Sequence, residues 1–125
     1  MGGGGIPVVE SPEGLRGVAA VIDKDRASSL LARDLKADRL IILTAVDRVC
    51  VNFNKPDQRE LPSMTLAEAE AYIGQEQFAP GSMLPKVQSC MEFVKNAPAG
   101  STALITSLSR AADALEGKTG TILTK

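Results

Sequence analysis

The chain contains no histidine and no tryptophan. Without histidine there is no Ser–His or Cys–His nucleophilic pair, and no His-ligated metal, among these residues. Cysteine is scarce as well. Cys50 and Cys90 are too few for a disulfide framework or a cysteine metal cluster, and both read as reduced thiols of a cytosolic protein. Aromatic residues make up only 3% of the chain, so aliphatic side chains must fill any core. No apolar run approaches the length of a membrane span, and no signal-peptide pattern is visible. Nor does charge of one sign predominate. A net charge of −1 gives no electrostatic reason to expect nucleic acid or an anionic membrane as partner. Internal repeats, low-complexity linkers and a second domain are all lacking.

What is present suits a globular α/β domain. A length of 125 residues predicts one domain with a modest core, and a hydrophobic fraction of 44% is ordinary for one. Ile6 to Glu10 reads as a short strand and Ser11-Pro12-Glu13-Gly14 as a turn. From Asp25 to about Ala37 the spacing predicts a helix whose apolar stripe is Ala27, Leu30, Leu31 and Leu35. Leu40 to Leu43 is a continuous apolar run of strand length, as in strands covered on both faces. Ala103 to Thr106 reads the same way, and both runs are expected in the sheet interior. Helix followed by buried strand predicts α/β layering around a mainly parallel sheet. Asn54 to Leu61, with Pro56, reads as an exposed loop.

Further on, Thr65-x-x-Glu68 has the spacing of a capping box and predicts a helix to about Ile73. Pro85 suits the first turn of another helix, which continues through Val87, Cys90, Met91 and Val94. Ser107 to Leu115 reads as a short helix closed by Gly117, and Gly120 to Leu123 as a last strand.

The chemistry concentrates at helix starts. Val21-Ile22-Asp23-Lys24-Asp25 follows the glycine-rich opening Gly2-Gly3-Gly4-Gly5-Ile6-Pro7-Val8 and runs into the first helix. Backbone N–H groups at a helix N-terminus attract anions, and a lysine there adds a full positive charge. Asp25 would either cap free N–H groups or orient Lys24. An acidic N-cap beside a solvated lysine has the same spacing, just as four glycines in isolation fit a flexible tail. Lys86 lies at a second helix start, after Pro80-Gly81-Ser82-Met83-Leu84-Pro85, where a plain surface lysine is the commoner case. Thr44-Ala45-Val46-Asp47 leaves the C-terminal end of a strand, where open α/β sheets bind ligands.

The wording of these stretches is more specific than their spacing. Gly-Gly-Gly-Gly-Ile-Pro-Val, Ala-Val-Ile-Asp-Lys-Asp and Phe78-Ala-Pro-Gly-Ser-Met-Leu-Pro-Lys86 together resemble the carbamate kinases, of the amino acid kinase family. The resemblance covers essentially all 125 residues but only the C-terminal, nucleotide-binding half of such an enzyme. It implies a three-layer α/β/α fold with a mainly parallel sheet, the chain forming a single partial domain over 1–125.

The resemblance also implies phosphoryl transfer between ATP/ADP with Mg2+ and carbamate or carbamoyl phosphate. Lys24 and Lys86 would contact the phosphates, Asp25 would orient the lysines, and Asp23 would stand behind it. Gly4 and Gly5 would lie beside the active centre. Thr44, Ala45, Val46, Asp47 and the segment bearing Cys50 would enclose the adenosine, with Gly81, Ser82 and Met83 completing the nucleotide site. Many family members carry a tyrosine where Cys50 stands. The acceptor site and a further lysine belong to the N-terminal half, so the chain alone is expected to be catalytically incomplete. Full-length members imply a cytoplasmic homo-oligomer of arginine metabolism. Two other readings remain open: a non-catalytic nucleotide-binding or assembly module, and a related kinase making another acyl phosphate.

Overall fold

The computed structural model describes residues 3–125, so Met1 and Gly2 of the glycine-rich opening lie outside the described residues. The strands are β1 (Val8–Ser11), β2 (Gly14–Gly17), β3 (Arg39–Thr44), β4 (Val49–Val51), β5 (Arg59–Leu61), β6 (Ser63–Thr65), β7 (Thr102–Ser107) and β8 (Thr121–Thr124). The helices are α1 (Lys24–Asp34), α2 (Leu66–Gly74), α3 (Met83–Asn96) and α4 (Ala111–Leu115), the last preceded by a 3-10 turn at Leu108–Arg110. The central four-stranded sheet runs β3-β7-β8-β6. β3 is parallel to β7 and β6 is parallel to β8, while β7 and β8 are antiparallel. The sheet is therefore mainly parallel.

Two layers of helix enclose it unequally. One face carries Leu40, Ile42, Ala103, Ile105 and Leu123, which join Val87, Cys90, Phe93 and Val94 of α3 in one apolar core. On the other face the short α4 covers Leu104. Gly120 is required there, because a Cβ at that position would sit 2.7 Å from Leu104 Cδ1 and 3.3 Å from Ala114 Cβ.

β7 is the interior strand that its composition predicts, with Ala103 to Ser107 all buried. β3 is not interior. Among the described residues it is an edge strand, and Ile41 and Leu43 are 38% and 42% exposed. Its inward side chains, Leu40 and Ile42, meet the core, whereas Ile41 and Leu43 point to the thinly covered face. A continuous apolar run does not distinguish these two arrangements.

Other expectations hold with shifted bounds. The capping box of α2 forms, Thr65 Oγ1 accepting from Glu68 N–H at 3.2 Å and Glu68 Oε2 accepting from Thr65 N–H at 2.8 Å. Those contacts hold the Glu68 carboxyl below its ordinary range. The stretch expected to be a loop, Asn54 to Leu61, ends in β5, which pairs with β4. The Ser11–Gly14 turn closes a β1–β2 hairpin, with Gly14 at a φ of +112° that favours glycine.

Helix α1 is the larger departure. The expected stripe is not its buried face, since Leu30, Leu31 and Leu35 are 49%, 42% and 71% exposed. Asp25 and Ser29, one turn apart, are buried instead. The reason is where α1 docks. It lies mainly against α3, and the residues it meets there include the polar end of that helix at Lys86.

Candidate functional site

The first turn of α1 brings together four charged residues, Asp23, Lys24 and Asp25 of its own and Lys86 of α3. Asp23 is the N-cap, its Oδ1 accepting from Arg26 N–H at 2.8 Å. That leaves Asp25 for another purpose. Its Oδ2 accepts from Lys86 Nζ at 3.0 Å and from Lys24 Nζ at 3.4 Å. Two ammonium groups from separate helices thus meet at one carboxylate oxygen. Asp25 is buried, the Lys86 side chain is 14% exposed and the Lys24 side chain is 50% exposed. Asp25 thus pairs with both ammonium groups, and of the two it is Lys24 that faces solvent. Beneath the cluster, burial pushes the Cys90 thiol well above its ordinary range. The Asp25 charge pushes the same way, and Lys86 partly opposes it. Cys90 is therefore an inert core side chain rather than a nucleophile.

Both lysines sit in the first turns of helices, as their sequence context predicts. The α3 start has its N-cap at Ser82, whose side chain makes no capping hydrogen bond. Pro85 occupies the first turn, where a missing N–H costs nothing. Ahead of α1, Gly4 is required by close approach: a Cβ there would lie 2.1 Å from the Ile22 carbonyl oxygen. Gly5 adopts a φ of +97°. The glycines therefore let the chain run against the segment entering α1, next to the lysine cluster.

A cleft of about 430 Å³ opens between the C-terminal end of β3 and the start of α3. Small-molecule sites are commonly of this size. Thr44, Ala45, Val46, Cys50, Ser82 and Met83 line it. Ser82 and Met83 belong to the same helix start that carries Lys86, so the cleft and the lysine cluster share one structural support. Asp47 and Gly81 do not line the cleft, and neither do Gly4, Gly5 and Asp23. Burial and the Glu60 charge raise the Cys50 thiol.

The cleft also holds residues that residue-by-residue reading passed over. Arg48 and Lys55 add positive charge, and Phe78 adds a buried aromatic wall, while the half-exposed Phe53 belongs to the segment Val49 to Phe53 that the resemblance already implies around the adenosine. The chain has three phenylalanines, and two of them line this one cleft. A larger cleft, about 580 Å³, lies among α1, α2 and α3. Neither cleft is lined by Lys24 or Lys86; the smaller one reaches the helix start that carries Lys86 through Ser82 and Met83, and the larger one does not.

These features have counterparts in known proteins. The model of the amino acid kinase family matches residues 2–107. The chain belongs to the amino acid kinase family. Over 124 residues it is 58% identical to a carbamate kinase of Clostridium perfringens and 57% identical to one of Latilactobacillus sakei. Each alignment takes in 99% of this chain but 39% of the relative. The chain thus spans about two fifths of the length of those family members. Among solved structures, a carbamate kinase from Giardia lamblia bound to AMP-PNP superposes with a TM-score of 0.92 at 48% identity. That match covers 98% of this chain and 38% of the other. An N-acetylglutamate synthase from Neisseria gonorrhoeae shares the fold alone, at 19% identity and a TM-score of 0.68. The family membership agrees with the mainly parallel α/β sheet.

Proposed function

We propose that the chain supplies the ATP/ADP side of a carbamate kinase reaction, in which ATP and carbamate interconvert with ADP and carbamoyl phosphate. The observation that carries this reading is the junction of Lys24 and Lys86 on Asp25 at the starts of two helices. Phosphoryl transfer asks little covalent chemistry of a protein. It asks for alignment and for positive charge where phosphoryl oxygens gather negative charge. Lys24 and Lys86 supply that charge, Asp25 fixes the two ammonium groups, and the N-termini of α1 and α3 add backbone dipoles of the same sign. The cleft of Thr44–Val46, Cys50, Ser82 and Met83 takes the adenosine, with Phe53 and Phe78 offering apolar surface to the base.

Magnesium suits this arrangement as a passenger on the phosphates. Asp23 is engaged with the helix backbone and Asp25 with two lysines. Among the described residues there is no group of three or more His, Cys, Asp or Glu able to cage a metal. Mg2+ commonly keeps its waters and binds through substrate phosphates, and when bound it would neutralise phosphate charge.

The 125 residues correspond to 39% of each curated relative's length. We therefore assign carbamate binding to the remainder of such a protein, together with the homo-oligomeric cytoplasmic form implied by the family. Holding two reactants together is worth roughly 7–11 kcal/mol of a barrier, and one bound reactant cannot supply that term. Purified chain should bind a fluorescent ADP analogue weakly and should give no useful turnover in a coupled assay with carbamoyl phosphate and Mg-ADP. Lys86→Ala and Lys24→Ala should each weaken binding. Absence of binding in the wild type would sink the nucleotide reading. Turnover close to that of a full-length enzyme, lost in Lys24→Ala, would sink the incompleteness. Binding without turnover also fits a nucleotide-binding module, and adding a separately produced N-terminal half distinguishes the two by restoring activity only for a kinase.

A further inference from the structure

The loop between β3 and β4 forms one wall of the cleft, through Thr44, Ala45, Val46 and Arg48. Asp47, between Val46 and Arg48, does not line the cleft and is held by residues at and after the end of β7. Asp47 Oδ1 accepts from Ser107 Oγ at 2.5 Å. Ser107 ends β7, is buried, and also receives Arg110 N–H at 3.2 Å. The Arg110 guanidinium stands 3.8 Å from Asp47 Oδ2 and is itself fixed by Asp113 at 2.6 Å. The next two residues are tied to the same part of the chain. Arg48 Nη2 donates to the Lys118 carbonyl at 3.4 Å. Val49 N–H donates to the buried Thr121 Oγ1 at 2.8 Å, and that hydroxyl donates to the Leu61 carbonyl at 2.5 Å. Three consecutive residues thus hang from three anchors between Ser107 and Thr121.

We infer that Ser107 and Arg110 are positioning residues for the nucleotide, holding the β3–β4 loop in the shape that forms the cleft wall. This rests on the nucleotide reading above. Irregular backbone has no ladder to fix it, and a binding wall built from it must be preorganised by contacts from outside. Within the pair, Ser107 is the stronger anchor. Its hydrogen bond is part-buried and made to a charged acceptor, whereas the Arg110–Asp47 pair is long and nearly half exposed.

The test compares wild type, Ser107→Ala, Ser107→Thr and Arg110→Gln in the full chain. It reads amide hydrogen exchange at residues 44–50 and the affinities for ADP and for inorganic pyrophosphate. Pyrophosphate needs the lysines and not the adenosine cleft. Ser107→Ala should speed exchange in the loop and weaken ADP about tenfold, the size of one hydrogen bond to a charged group. Pyrophosphate affinity should stay unchanged. Ser107→Thr, which keeps the hydroxyl, should restore both readouts. Arg110→Gln, at an exposed position, should move them the same way by less, and it serves if Ser107→Ala does not fold. Unchanged exchange in the loop overturns the proposal, as does equal weakening of both ligands. A wild type that binds pyrophosphate but not ADP overturns the nucleotide reading. The exchange data then decide independently whether Ser107 holds the loop.

Discussion

Helices α1 and α3 lie against each other and obey opposite rules. Helix α3 buries most of what its pattern marks as apolar: Val87, Cys90 and Val94 are in the core, Met91 packs partly buried against it, and Phe93 joins them although the expected stripe does not include it. Helix α1 buries Asp25 and Ser29 and leaves Leu30 and Leu31, with Leu35 at its C-terminal cap, largely to solvent. The first is held by removal of apolar surface from water; the second sets Ala32 against that core and carries a paired charge cluster at its N-terminal end. Burying a carboxylate is costly unless it is paired, so Asp25 is tolerable in this seam only because two lysines reach it. A helix that gives up its apolar face to place a charged group is organised around a site more than around a core.

That contrast can be broken at either helix, beginning where the effect should be greatest. Phe93→Ala removes the largest fully buried side chain of α3 and should cost about 3–5 kcal/mol of unfolding free energy in a urea titration. A loss below about 1 kcal/mol would mean that α3 is not the apolar anchor described here.

Asp25→Ala should cost less, about 1–3 kcal/mol, because Lys24 can return to water while Lys86 is left facing a buried gap. The decisive measurement is thermal melting with and without pyrophosphate. An added anion should recover part of the lost stability by standing in for the carboxylate. An unchanged melting temperature in the variant would remove the electrostatic account of the seam.

The smallest effect belongs to Leu35→Ser on α1, expected within about 0.5 kcal/mol of wild type in the same urea titration. A loss of about 2 kcal/mol would show that the leucine face is packed after all, and the difference between the two helices would vanish.

The same contrast explains how much was legible beforehand. The pattern of α3, the capping box of α2 and the apolar run of β7 each have one physical solution, and each was readable. The α1 stripe was misread because periodicity records where apolar residues recur, not which neighbour a helix meets. Had α1 docked on the sheet, its leucines would have been the natural face; it docks on α3, where Lys86 waits for Asp25. β3 was misread because Leu40 to Leu43 looks identical whether Ile41 and Leu43 are covered or bare. β5 and β6 are three residues each, too short for any period to emerge. In the site, Lys24 and Lys86 stood out through their motifs. The bond from Ser107 to Asp47 did not, because it joins residues 60 positions apart and neither belongs to a motif that names the other.

The position of β3 at the sheet's rim has a consequence for handling the protein. On the side away from β7 no strand among the described residues pairs with it, so the backbone groups of β3 that are not bonded to β7 have no strand partner. Beside them stand Ile41 and Leu43, and no charged side chain interrupts the strand after Arg39. Such a rim is a template on which a second extended chain can lay itself down. Colloidal behaviour is then set by concentration more than by unfolding, and the chain should begin to associate well below its melting temperature. A lysine in place of Ile41 would blunt that rim without touching either lysine at Asp25.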